Sequence, residues 1–165
     1  MRVTSTEAAK MVKELTEKLV LLKSIDEKSR VFYASVGESP EDVRPEYDFV
    51  ESSNEMARLQ AEIRHIKHAI NCFNTTQKLE KIGMTIDEVL VYLPQLSAEK
   101  SRLLTMSRQL PKQRRESYSP SNIVDYEIAN YDIDTVKEAL EKVTKQLSEV
   151  QTELNKINST ITFEI

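Results

Sequence analysis

Near the end of the chain the apolar residues fall at Ile133, Val136, Leu140, Val143, Leu147, Val150, Leu154, Ile157 and Ile161. The steps alternate between three and four without a break. Only an α-helix returns one narrow stripe to the same face at that rhythm, and so narrow a stripe must be covered by another helix. At about 1.5 Å per residue this helix is about 35–40 Å long. Lys137, Glu138, Glu141, Lys142, Lys145 and Glu149 fill the remaining faces, and Asp134 is placed to cap the start.

Two more stripes follow the same rule. One runs through Met56, Leu59, Ile63, Ile66, Ile70 and Phe73, with Ser53 or Asn54 as its opening residue. The other runs through Ala8, Met11, Leu15, Leu22, Ile25, Phe32 and Val36, widened by Val12 and Leu19. Gly37 is the expected stop, because glycine tolerates the left-handed conformation that ends helices. A fourth helix opens at Thr85 and Glu88, a capping-box pair, and continues through Val89, Leu90 and Leu93. Pro94 predicts a kink or restart, since it lacks an amide donor and crowds the preceding turn. The pattern resumes at Leu96, Leu103, Leu104 and Leu110.

Two short stretches have the alternation of strands, residues 123–133 and 160–165. A lone strand is unstable, so the expected partners are each other or a neighbouring subunit. Residues 37–52 and 111–122 read as loops. The expectation is a mostly α protein of long antiparallel helices with coiled-coil-like seams and a small β element, forming a single elongated domain over 1–165.

Composition narrows the chemistry. The 165 residues include 23 Lys and Arg against 27 Asp and Glu, for a net charge of −4. Only 2 Gly are present, too few for a glycine-rich phosphate loop. One Cys excludes an intrachain disulfide and 2 His leave little for metal or acid–base chemistry. No apolar run approaches the ~18 residues of a membrane span, and Met1–Lys10 lacks a signal-peptide core. We read a soluble, cytoplasmic chain with no membrane role and no cofactor.

An ordered set of landmarks runs through the second half: Ile70–Thr76, Gly83–Leu90, Ser117–Ile123, Tyr131–Ile133 and the closing Ile157–Thr160. This order resembles a family of small, uncharacterised bacterial helical proteins, some of which are labelled septicolysin. The likeness covers roughly 59–160. Members carry Arg-Asp where this chain has Leu93 and Pro94, and often Trp where it has Ser159. The resemblance implies a helical fold and brings no established activity.

Several constellations remain to be weighed. Glu62 and His65 match one Glu-x-x-His unit of a di-metal bundle, but the only other histidine, His68, lies on the same helix. A homodimer would supply a second unit. However, helical periodicity turns His65 about 160° and His68 about 140° from the apolar seam, toward water. No metal site is expected. Cys72 falls on the same outward side with no base assigned to it, and reads as incidental.

Asn71, Asn74, Thr75, Asn158 and Thr160 form polar clusters at the ends of two helices. They are suited to binding unpaired carbonyls, and Asn74 to fixing register. The alternative is a small polar pocket. Arg108, Lys112, Arg114 and Arg115 form a basic cluster with Tyr118 nearby, a candidate contact for phosphate or nucleic acid. The net negative charge opposes tight nonspecific binding of nucleic acid. Asp125, Glu127, Asp132 and Asp134 lack the cleft that paired catalytic acids need. The leading reading is therefore a non-enzymatic structural or interaction protein. It would self-assemble into a homo-oligomer through its heptad seams, with a protein partner open. The alternative is phosphate or nucleic-acid binding through the basic loop.

Overall fold

The structure, a computed structural model, describes residues 1–114 and 124–165. The elements in chain order are β1 (Arg2–Thr4), α1 (Ser5–Ser29), α2 (Pro40–Val43), α3 (Phe49–Thr76), β2 (Lys78–Leu79), β3 (Met84–Thr85), α4 (Ile86–Ser107), β4 (Lys112–Arg114), β5 (Tyr126–Ile128), α5 (Ile133–Thr160) and β6 (Thr162–Glu164). The fold is mostly α, with small antiparallel strand pairs, as the patterning predicts. Two compact units form. The first holds Met1–Thr76 and Asn158–Ile165, the second Gln77–Ile157.

In the first unit α1 and α3 supply a shared core of Ala8, Leu15, Leu59 and Ile66, with Met11, Val12, Leu19, Leu22, Ile63 and Ile70 packed around it. These are the seam positions. Asp26 near the end of α1 accepts hydrogen bonds from the Tyr47 hydroxyl at 2.7 Å and the Ser52 hydroxyl at 3.4 Å, so the two helices run antiparallel. Asp48 opens α3: its Oδ1 accepts from the amides of Val50 and Glu51 at 2.7 and 2.9 Å. The expected openers, Ser53 and Asn54, lie inside the helix instead.

Helix α1 ends at Ser29, not at Val36. The antiparallel partner begins only at Phe49, so an apolar stripe beyond Ser29 has nothing to cover it, and Val31, Tyr33 and Val36 are exposed. Phe32 instead meets the Arg44 guanidinium, 5.3 Å from its ring centre. Gly37 still adopts the left-handed conformation (φ +93°), in a turn rather than a helix cap. The loop over 37–52 contains the single turn α2.

The first unit is closed by the β1–β6 pair, with Val3 opposite Phe163 and Thr4 opposite Thr162. Thus 160–165 pairs with the beginning of the chain and not with 123–133. Phe163 stacks on Phe73 of α3 at 4.6 Å, and the Thr6 hydroxyl donates to the Asn158 carbonyl at 3.0 Å.

The second unit is also a helical hairpin. Three contacts fix its direction: Tyr131 hydroxyl to the Met106 carbonyl (3.0 Å), Gln146 Nε2 to the Tyr92 hydroxyl (2.7 Å), and Lys81 to Glu153 (3.0 Å). As the number rises along α5, the partner number falls, so α4 and α5 are antiparallel. Ile86, Val89, Leu96 and Leu103 on α4 are buried, as are Val136, Leu147, Val150, Leu154 and Ile157 on α5. Asp132, not Asp134, caps α5, accepting from the Asp134 amide at 3.0 Å and the Thr135 hydroxyl at 2.9 Å. Asp134 in the first turn pairs with Lys137 at 2.8 Å.

Pro94 does not end α4, which runs unbroken from Ile86 to Ser107. Its ring faces solvent, where water can bond the carbonyl that the missing amide leaves open. We expect Pro94→Ala to raise stability by about 1–3 kcal/mol, read by urea unfolding. A lower midpoint would show that the proline relieves strain instead.

Thr85 and Glu88 form the predicted capping box, and Thr4 and Glu7 form a second one at the start of α1. Hydrogen bonds from the Thr4 amide and hydroxyl hold the Glu7 carboxyl below the ordinary 4.5, and those of Thr85 do the same for Glu88. A lowered folded-state value means that the stabilisation is present above the unfolded value and lost as pH falls through the folded one. Stability should therefore decline on acidification below that range. Thermal melts of Glu88→Ala against pH should show a shallower decline; an identical slope would exclude this carboxyl.

Candidate functional site

Among the described residues no polar or charged residue is buried, and no group of three or more His, Cys, Asp or Glu side chains could hold a metal ion. Among the described residues no helix is long and apolar enough to cross a membrane. The chemistry on view is therefore surface chemistry, and three places carry the candidate residues.

The first is a two-stranded ribbon in the second unit. Lys112 lies opposite Ile128, Gln113 opposite Glu127 and Arg114 opposite Tyr126. Side chains alternate along a strand and match across a pair, so Lys112, Arg114, Tyr126 and Ile128 share one face. Gln113 and Glu127 share the other. The Lys112 ammonium sits 4.2 Å from the Tyr126 ring centre. On the opposite face Gln109 Nε2 donates to Glu127 at 2.7 Å. The Ala129 amide donates to the Pro111 carbonyl at 3.1 Å, and the Tyr131 bond to Met106 ties the ribbon's base to α4.

Strand β4 forms at 112–114, within the stretch 111–122 that reads as a loop and whose remainder from 115 lies outside the described residues, and it supplies the partner for 126–128 within the strand-like stretch 123–133. Tyr126 is 53% and Ile128 65% exposed, with Leu110 and Val124 exposed beside them. Among the described residues each strand pairs on one edge only. Arg108 follows α4 and lines an open cleft of about 510 Å³ with Pro111, Tyr131, Asp132 and Lys137. Of the predicted basic cluster, then, Lys112 and Arg114 share a face and Arg108 sits at the base. Arg115 and Tyr118 lie outside the described residues. The aromatic partner of the cations is Tyr126, which the strand-like alternation of 123–133 had already marked.

The second place is the pair of helix ends in the first unit. The Thr75 hydroxyl donates to the carbonyls of Asn71 and Cys72 at 3.1 and 3.0 Å, and Thr76 to those of Cys72 and Phe73 at 2.8 and 3.2 Å. These hydroxyls serve the last turn of α3. Asn71 is exposed and lines a shallow groove with Leu19, Gln60, Ile63, Arg64, Lys67 and His68. Asn74 is half-buried, as is Asn158, whose carbonyl receives Thr6. Thr160 is the last residue of α5. The Phe73–Phe163 stack brings the two polar helix ends to one corner of the unit.

The third place is the outer face of α3. His65, His68 and Cys72 are exposed there, as periodicity indicates. Cys72 does have a base beside it: its Sγ lies 3.6 Å from His68 Nε2. The four-residue spacing was the available signal, since residues i and i+4 meet on a helix surface.

The chain matches no protein-family model and no curated protein. A solved structure does share its fold: a functionally unknown conserved protein from Corynebacterium diphtheriae, with a TM-score of 0.63 and 18% identity, covering 99% of this chain and 100% of that one.

Proposed function

We propose that the protein is an interaction protein that self-assembles, and that the contact element is the β4–β5 ribbon. The α3 and α5 seams are buried or half-buried, while Ile25 of the α1 seam and Leu90 and Leu104 of the α4 pattern are exposed, and the ribbon adds a further uncovered apolar surface. The observation that carries the reading is the exposed apolar pair Tyr126 and Ile128 on a strand that, among the described residues, pairs on one edge only. A two-stranded ribbon of three residues a side is marginal alone and gains from further strands.

Charge selects the edge. If two copies met through β4, centred on Gln113, Lys112 would face Arg114 of the other copy. If they met through β5, centred on Glu127, Tyr126 would face Ile128 of the other copy, and aromatic–β-branched pairs stabilise sheets. The two Glu127 carboxylates would oppose each other on the far face, where Gln109 already supplies a donor. The contact is small, so the association is weak and concentration-dependent. Membership in the septicolysin-labelled helical family belongs to the same proposal; a cytolytic activity would have to appear as dye release from liposomes.

Light scattering across a concentration series should show the mass rising from one chain toward two. Ile128→Lys should hold it at one chain with an unchanged circular dichroism spectrum. A parent protein that stays at one chain throughout, or a variant that associates equally well, would overturn the proposal.

The Lys112–Tyr126 contact favours a second reading, in which the ribbon face holds single-stranded nucleic acid by phosphate pairing and base stacking. With so few cations the salt slope would be shallow, about −0.7 per phosphate neutralised. Fluorescence anisotropy with a labelled oligonucleotide tests it. Binding should weaken in salt and in Arg114→Ala, and salt-independent binding or none would remove the reading.

A further inference from the structure

We infer that His68 and Cys72 form half of a tetrahedral zinc-type site that a second copy of this chain completes. A tetrahedral zinc ion holds sulfur at about 2.3 Å and nitrogen at about 2.0–2.1 Å, which places a bound sulfur and nitrogen about 3.5 Å apart. Cys72 Sγ and His68 Nε2 are 3.6 Å apart on the exposed face of α3. One helix turn therefore already holds two donors at the bite such an ion requires. The described residues offer no third His, Cys, Asp or Glu to make a larger group. Two donors leave two positions, and a two-fold axis crossing α3 between His68 and Cys72 fills both with the same pair from the other copy.

The surrounding face admits that approach. Asn54, Ala61, His68 and Thr75 recur every seven residues and are all exposed, and the residues on either side of His68 in this row are small. Arg58 on the Cys72 flank is folded onto Glu55 at 2.7 Å and Glu62 at 3.5 Å, while the exposed Arg64, one turn before His68, and Lys67 border the site on the other flank. Binding releases the thiol proton of each Cys72 to solvent. The two thiolates then balance the charge of a divalent ion, so the junction gains no net charge among the neighbouring Arg64 and Lys67. This contact uses α3 and a metal. It is independent of the ribbon contact, which uses β5 and needs none.

The test is a cobalt(II) titration of the full chain in a phosphine reductant, followed by absorbance and light scattering. The expected result is one ion per two chains, a thiolate-to-cobalt charge-transfer band, and a doubling of mass that a chelator reverses. Cys72→Ser and His68→Gln should each abolish the band and the metal-dependent doubling, while Ile128→Lys leaves both intact. One ion per chain without a change of mass, no binding at micromolar metal, or undiminished binding in either variant would overturn the inference.

Discussion

The first unit depends on a ladder of three residue pairs between Arg2–Thr4 and Thr162–Glu164. These strands come from opposite ends of the numbering, so their union closes a loop of almost the whole chain. Loop-closure entropy grows only with the logarithm of length, so this long closure costs little more than a short one. The return is concentrated at one corner. Val3 is buried, Phe163 stacks on Phe73, and Thr4 both ends β1 and caps α1 through Glu7. The hydroxyl of Thr6, two residues on, donates to the Asn158 carbonyl near the end of α5. A single residue, Thr4, thus couples strand register to helix initiation. Losing the ladder would remove the cover from Val3 and Phe73 together.

The fold was legible where periodicity speaks. Every residue of the closing seam from Ile133 to Ile161 is buried or half-buried, although α5 itself ends at Thr160, and the Thr85–Glu88 box opens α4 as its spacing requires. The failures have one physical source, which is that a pattern says what could be covered and not where the cover ends. The stripe of α1 continues to Val36 in sequence, but its partner helix starts at Phe49, so the helix stops at Ser29. The caps Asp48 and Asp132 were missed because each stands a residue or more before the apolar pattern begins. Strand pairing was equally hidden, since alternation identifies a strand without naming its neighbour.

The candidate sites divide in the same way. The basic cluster was visible as composition, but its meaning changed once Lys112 and Arg114 fell on one face with Tyr126 and Ile128. Neither the register nor the shared face can be read from a list of charges. The His68–Cys72 contact depends on helix phase alone, and that phase was known. Whether a residue faces the core does not reveal such a contact. A surface pair needs the opposite question, namely which exposed side chains a helix brings within reach of each other.

Covering most seam positions within each unit bears on assembly. A chain whose seams still lacked partners would associate through broad helical surfaces, strongly and without choice of condition. Here the uncovered apolar residues, such as Val20 and Leu21 on α1 and Val91 on α4, lie largely off the seams, and the two surfaces proposed for assembly are a short strand edge in one unit and a two-donor clasp in the other. On these proposals each would make a contact in which both copies use the same residues. One such contact gives a closed pair, whereas two different ones on the same chain link copies onward, into rings or open strings according to how their axes meet. The first would depend on protein concentration and the second on a metal ion. The extent of assembly would then be set by conditions outside the chain and not by the stability of its core.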